Sequence, residues 1–355
     1  MGETIEFTSY GWAMMLYLLL IFLFSLSAYA THFYIRYAWH HQVLDIPNAR
    51  SAHTHLTPRG GGIVFLGLWI AALLVAFFLN LIALQTLFII LPGVVFVATV
   101  GFCDDCYQLP ARWRALAYLL AAILSISTLG GWNQFLLNEN IILPLGMFGS
   151  VFAVLLITWS TNLFNFMDGL DGLAASEAIF ILTLGGFFLA QVGGESIALS
   201  AWLLSAGIGG FWIWNTPPAR VFMGDVGSTA LGFIMMLLAF WGEKQYGVPA
   251  LLWFILYGVF LVDATLTLIR RIMAKEAIYQ AHKLHAYQRL YQAGYSHAKV
   301  LILISSVNGI LGLLAVYGFY ARAHLLLCAC AALFLLLACY AWVERIKPMY
   351  ASPVA

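Results

Sequence analysis

Long apolar runs separated by short polar connections recur along the whole chain, and that alternation predicts its elements. Allowing roughly 17 to 25 apolar residues per membrane-crossing helix, and shorter runs where the pattern demands, about eleven helices are expected. They fall at about 10–32, 61–83, 85–102, 114–130, 147–163, 172–190, 197–214, 227–242, 249–270, 299–319 and 323–343. The fold class read from this pattern is an all-α polytopic membrane protein forming one domain over residues 1–355. Composition agrees. Of the 355 residues 63% are hydrophobic and 9% charged, with mean hydropathy +0.93, which excludes an ordinary soluble domain. The first run, Trp12 to Tyr29, has no basic residue ahead of it and no small-residue cleavage site behind it, so it reads as a retained span.

Charge orients the helices. Lysine and arginine number 16, and assigning the connections alternately leaves only Lys244 and Arg322 on one side, with the other fourteen opposite. The positive-inside rule makes the heavier side cytoplasmic, with the N-terminus outside and the C-terminus inside. The longest external connection, 131–146, carries Glu139 and no basic residue. A formal net charge of +1 gives no reason to expect nucleic acid. The cytoplasmic loops, at about 33–60, 103–113, 164–171, 215–226 and 271–298, hold nearly every residue capable of chemistry.

The polar residues sit in five places. Asn165, Asp168 and Asp171 are spaced by three and are expected to converge, stacked on one helical face or lining a tight turn set by Gly169 and Gly172. Asp45, Pro47, Arg50, His53 and Arg59 precede the run Gly60-Gly61-Gly62, where a helix start lets free N–H groups face an anion. The adjacent carboxylates Asp104 and Asp105 repel each other unless a cation or proton sits between them. Their flanking Cys103 and Cys106 lack the second pair that a tetrahedral zinc site needs. Cys328, Cys330 and Cys339 read as small buried hydrophobes, and no disulfide framework is expected. Asp225 lies between Gly224 and Gly227, after Phe222. Asp263 lies about 10 Å inside a helix that ends in Arg270 and Arg271, and an ionisable group at such depth suggests function. His282 and His285 are expected to share a helical face that suits a metal or a phosphate. Several carboxylates with oxygen-only ligands favour magnesium or manganese. With arginines and glycine-rich turns on the same face, the reaction class is phosphoryl transfer at a membrane surface between a soluble nucleotide and a lipid.

These motifs in this order, from Asp45-x-Pro47 through Asp104-Asp105, Asn165 to Gly172 and Gly224 to Ser228 to the histidine loop, resemble the polyprenyl-phosphate N-acetylhexosamine-1-phosphate transferases. The resemblance covers residues from about 45 to 290. It implies transfer of a sugar 1-phosphate from a UDP-N-acetylhexosamine to undecaprenyl phosphate, releasing UMP, with magnesium (or manganese) as cofactor. It also implies a multi-pass protein of the bacterial inner membrane, with a periplasmic N-terminus and a cytoplasmic active site, and admits a homodimer. Carried over by position, Asp225 is the magnesium ligand, Phe222 the uracil-stacking residue, and Asn165 and Asp171 nucleotide-binding residues with Asp168 beside them. Asp104 is the candidate base on the lipid phosphate, and Asp105 orients it or binds metal. Asp168, His282 and His285 join them as catalytic residues, the histidines at the phosphates or the sugar. Arg50, His53 and Arg59 are assigned to the substrate.

Two departures narrow the resemblance. Arg50-Ser51 stands where many relatives have Arg-Lys, so Arg50 or Arg59 must supply that charge. The loop His282-Lys-Leu-His285-Ala-Tyr287-Gln-Arg289 resembles the branch that initiates O-antigen chains, with UDP-GlcNAc or 6-deoxy sugars such as UDP-QuiNAc or UDP-FucNAc, rather than the peptidoglycan translocase. The competing class is a secondary transporter or channel. That class would place its acidic groups near the bilayer midplane with repeat symmetry, and no repeat is visible here.

Overall fold

The computed structural model describes residues 9–47, 55–277 and 282–350, so Arg50 and His53 of the first loop lie outside the described residues. Every predicted apolar run is helical. The chain forms α1 (Ser9–His40), α2 (Gly62–Phe78), α3 (Leu84–Tyr107), α4 (Ala111–Thr128), α5 (Met147–Met167), α6 (Leu173–Ala190) and α7 (Glu195–Asn215). It continues through α8 (Asp225–Tyr246), α9 (Ala250–Leu256), α10 (Gly258–Met273), α11 (Ala286–Gln292), α12 (His297–Tyr320) and α13 (Leu325–Ile346). Among the described residues eight helices are long and apolar enough to cross a membrane, or nine if α9 and α10, bent by 78°, count as one span. Of the other two predicted runs, α2 is apolar but has only 17 residues, and α4 carries Arg112 and Arg114 near its start.

The connections hold more order than the hydropathy pattern suggests. In the first loop β1 (Leu44–Asp45) pairs antiparallel with β2 (Thr57–Pro58). The connection between α4 and α5 forms a hairpin of β3 (Gln134–Leu136) and β4 (Ile142–Pro144). Several helices run past their predicted ends, among them α1 to His40, α3 to Tyr107, α5 to Met167 and α8 to Tyr246. Polar side chains at a helix end do not interrupt backbone hydrogen bonding, so an apolar run marks the membrane-embedded part of a helix and not its last residue.

The packing centres on α8. This helix is buried along almost its whole length, between α3 and α5 and against α2, α4 and α6. Lipid tails are as apolar as leucine, so helices in a bilayer associate through close backbone approach and interhelical hydrogen bonds. Both occur here. The Ser160 hydroxyl on α5 donates to the Gly232 carbonyl on α8 (2.7 Å), and Gly101 on α3 lies against the Asp225 backbone, where a Cβ would meet the carbonyl oxygen at 2.5 Å. At the opposite end of α8, Glu243 accepts from Trp132 Nε1 (2.7 Å), Leu136 N (2.8 Å) and Ala250 N (3.2 Å). One carboxylate therefore fixes the hairpin and the start of α9. With both ends of α8 held, its N-terminus is a rigid platform.

Gly101→Ala should destabilise the protein by about 1 to 3 kcal/mol, because the added methyl pushes α3 off α8. A lowered Tm in detergent by scanning fluorimetry is expected, whereas Gly67→Ala, whose Cβ meets nothing within 4 Å, should leave Tm unchanged or raise it. Equal Tm values for wild type and Gly101→Ala would contradict the central packing.

Candidate active site

The site is built on the first turn of α8. Gly224 enters it at φ +77°, in the left-handed region, and a Cβ there would meet Asp105 Oδ2 at 2.7 Å. Asp105 lies close enough to cap the helix, its Oδ1 accepting from Asp225 N and its Oδ2 from Val226 N, each at 3.0 Å. A carboxylate on the positive end of a helix dipole is a favourable pairing. Arg59 Nε also donates to Asp105 Oδ1 (2.8 Å), and its Nη2 lies 3.8 Å from Asp225 Oδ1. On the other side Arg114 Nη1 donates to Asp104 Oδ2 and lies 3.3 Å from Asp225 Oδ2. Two arginines, Arg59 from the first loop and Arg114 from the start of α4, thus bracket three aspartates. Asp104 is tied further by Leu109 N, which donates to its Oδ1 (2.6 Å).

Arg59 is delivered by a backbone zipper between the segment that precedes α2 and the segment that precedes α8. Phe222 N donates to Pro58 O (2.8 Å), Gly61 N to Phe222 O (2.9 Å) and Gly62 N to Met223 O (2.8 Å). The Tyr34 hydroxyl, from α1, donates to the Arg59 carbonyl (2.6 Å). Burial disfavours the Arg59 charge, but Asp105 and Asp225 outweigh it and hold the guanidinium protonated. Phe222 is half-buried on this zipper, beside the entrance to α8.

The Asn165 to Asp171 motif does not stay together as its spacing predicts. Asn165 is still within α5 and its Nδ2 donates to Ser228 Oγ on α8 (3.0 Å). Asp168 follows the helix end. Asp171 turns the other way, accepting from Ala219 N (3.0 Å) and facing His297 Nδ1 (3.1 Å). The cause is local: α5 ends at Met167, with Asp168 at its C-cap (φ −83°, ψ 47°), so Asp171 no longer follows the helical path. The Asp168 carboxyl is pushed well above the usual carboxylate range by burial, then by the charges of Asp225, Asp105 and Asp171.

The histidines also differ from expectation. His285 is the N-cap of α11, with extended backbone, so His282 and His285 do not share a helical face. Their rings nevertheless come together, with centroids 4.8 Å apart. Burial, then His285 and Arg271, lower the His282 pKa to about 4, so that ring is neutral at pH 7. Both histidines line a chamber of about 360 Å³ with Arg114, Asn165, Thr229 and Arg271. Tyr118, Trp159 and Gln288 also line it and were missed in the sequence. Tyr118 had a signal, since it follows Arg114 by four residues on α4 and so shares its face. Arg270, by contrast, points away and binds Glu344 (Nη2 to Oε1, 2.9 Å).

Among the described residues no three His, Cys, Asp or Glu side chains come together closely enough to hold a metal ion. Magnesium commonly takes one or two carboxylates and completes its shell with water and substrate phosphate. Asp225 and Asp168 fit that pattern, since both face a crowd of like charges. Asp105 is placed to orient the end of α8, both of its oxygens already accepting backbone N–H groups.

Fold and site together define a polytopic membrane protein whose acidic, arginine-bracketed centre opens on a polar chamber. Sequence comparison gives the class its name. A profile described as glycosyl transferase family 4 matches residues 87–243. A Bacillus subtilis protein named as a probable undecaprenyl-phosphate N-acetylglucosaminyl 1-phosphate transferase is 32% identical over 280 residues, covering 77% of this chain and 76% of its own. An undecaprenyl-phosphate alpha-N-acetylglucosaminyl 1-phosphate transferase of Yersinia pestis is 28% identical, covering 78% and 77%. A phospho-N-acetylmuramoyl-pentapeptide-transferase of Halalkalibacterium halodurans is 26% identical, covering 74% and 83%. The chain belongs to the polyprenyl-phosphate hexosamine-1-phosphate transferase family.

Because the Asp168 pKa is raised on folding, the fold favours its protonated form. That stability is present at low pH and is lost as pH rises from the usual carboxylate range through the raised value. In divalent-free buffer Tm should therefore fall across this window, and Asp168→Asn should flatten the slope. An unchanged slope in the variant would remove Asp168 from the charge cluster.

Proposed function

We propose that this protein transfers an N-acetylhexosamine 1-phosphate, GlcNAc or a 6-deoxy sugar such as QuiNAc or FucNAc, from its UDP derivative to undecaprenyl phosphate. UMP leaves, and the product initiates an O-antigen or related envelope polysaccharide. The observation that carries this reading is Asp225 at the N-terminus of α8, bracketed by Arg59 and Arg114, in a chain whose relatives are named as N-acetylglucosaminyl 1-phosphate transferases. The proposal includes eleven spans in the bacterial inner membrane, a periplasmic N-terminus and an active site at the cytoplasmic face, where fourteen of the 16 basic residues then lie.

In the reaction an oxygen of the acceptor phosphate forms a bond to the β-phosphorus of the UDP-sugar. The bond from that phosphorus to the bridging oxygen breaks, and the electron pair leaves with UMP. Two anions must meet, so charge compensation is the main task of the site. Arg59 and Arg114 supply fixed positive charge from both sides. Asp225 and Asp168 would hold magnesium, which when bound neutralises the diphosphate and stabilises the leaving oxygen. Asp105 keeps Asp225 and Arg59 in register. A phosphate monoester with a second pKa of about 6 is largely dianionic at neutral pH, so Asp104 serves mainly to aim Arg114. Phe222 stacks on the uracil, and Asp171, which accepts from Ala219 N in the same loop, orders the nucleotide side. Arg114, Asn165, His282 and His285 face the chamber in which the acceptor phosphate and the sugar are placed.

Purified protein given a panel of UDP-N-acetyl sugars should release UMP only when both undecaprenyl phosphate and magnesium are present, and the best sugar identifies the pathway. Uptake of a solute by proteoliposomes with no UMP release would favour the transporter class instead. Asp225→Asn should insert and fold normally while turnover falls by about two orders of magnitude or more. Phe222→Ala should weaken UMP binding by about 1 to 3 kcal/mol, the scale of a base–aromatic stack. Unchanged affinity by titration calorimetry would remove Phe222 from the nucleotide site.

A further inference from the structure

Asp263 is a carboxylate on α10 that the reaction above does not use, and it is only 6% exposed. Its surroundings account for its place. Oδ1 accepts from the Thr267 hydroxyl (3.1 Å) and from Ala286 N (2.8 Å), and Oδ2 accepts from Tyr287 N (3.2 Å). Ala286 and Tyr287 are the first residues of α11, so a side chain of one helix satisfies the free N–H groups of another. The same Oδ1 lies 3.5 Å from Nδ1 of His285. That imidazole is 3% exposed, and its Nδ1 has no hydrogen-bond partner of ordinary length among the described residues, so the Asp263 carboxylate is the acceptor it faces.

The two members of this pair face different spaces. His285 lines the polar chamber that also holds Arg114 and Asn165. Asp263 borders a separate apolar cavity, beside Val259, Leu303 and Leu336. It therefore does not meet the substrate. A carboxylate against Nδ1 fixes the proton on that nitrogen, and which ring nitrogen carries the proton decides what the other one does. Nε2 is left as an acceptor presented to the chamber. α11 carries a second consequence. The Tyr287 hydroxyl donates to the Phe166 carbonyl (3.0 Å), and Gly169 lies so close that a Cβ would meet that hydroxyl at 2.2 Å. The groups that set the start of α11 thus also set the register between the histidine loop and the Asp168 turn.

We infer that Asp263 is a positioning residue for the transfer reaction: it clamps the start of α11 and holds the His285 imidazole with Nδ1 protonated and Nε2 toward the substrate chamber. The inference rests on the transferase reading for its kinetic consequences, and on the contacts alone for its geometry. Orienting a reactive imidazole through a buried carboxylate is a recurring arrangement, and losing the carboxylate misplaces the proton even when the ring stays in place.

Two measurements test it. In steady-state UMP release, Asp263→Asn should lower kcat by about 10- to 100-fold with the UDP-sugar KM changed less than about threefold. In a His285→Ala background the same substitution should change kcat less than about twofold, since its effect passes through the ring. Equal losses in both backgrounds would make Asp263 a purely structural residue and overturn the proposal. Should Asp263→Asn fail to fold, ¹⁵N-histidine spectra of the wild-type protein at pH 8 decide the matter, with the His285 signals assigned by their absence in His285→Ala. Protonated Nδ1 and bare Nε2 are expected, and the opposite tautomer overturns the clamp. Absence of turnover in wild type would fail the transferase reading, and the tautomer would still decide the geometry.

Discussion

The contact on which the site depends is the carboxylate of Asp105 on the first N–H groups of α8. A helix start buried among other helices cannot leave its donors bare, because water is not there to take them. A carboxylate answers that need and complements the dipole, but it brings a charge that must itself be balanced. Arg59 balances it. Asp225 then follows as the first residue of α8, held within reach of the same guanidinium and of Arg114. The satisfaction of one helix end places the residue that a phosphoryl-transfer reading needs.

This arrangement constrains the surrounding chain. Arg59 reaches Asp105 only because the first loop is zipped to Phe222 and Met223 through three backbone hydrogen bonds. Gly224 must lack a side chain, since Asp105 Oδ2 occupies the space a Cβ would need. Asp168 arrives from α5 on the same centre and meets more negative than positive charge. The centre is electrostatically incomplete by itself. It calls for a cation, and a cation on two carboxylates calls for phosphate oxygens to complete its shell. Three loops, each of which could pass for an ordinary linker, are thus bound into one site.

How much of this was legible in the sequence follows from the range of the interactions. The apolar runs were readable because span length is a local property, and all eleven are helical. The aspartates of the acidic centre were readable because charge is rare in such a chain, so Asp104, Asp105, Asp168 and Asp225 stood out. Their division of labour was not. Asp105 is an orienting cap through partners about 120 residues away, and no local pattern shows that. Spacing misled for Asn165 and Asp171, since α5 ends at Met167, between them, and for His282 and His285, since α11 starts one residue after His285. Thr229 and Tyr118 carry no charge and were hidden among apolar neighbours. Asp263 was noticed for its depth, but its partners in α11 could come only from the fold.

The central claim is that the acidic centre binds the donor diphosphate through a divalent cation. Calorimetric titration of a UDP-N-acetyl sugar into the purified protein, with magnesium and with chelator, tests it most directly. The account predicts affinity at least about tenfold higher with magnesium, because binding without it leaves the diphosphate beside Asp168 and Asp225 uncompensated. Equal affinity in both conditions would contradict it.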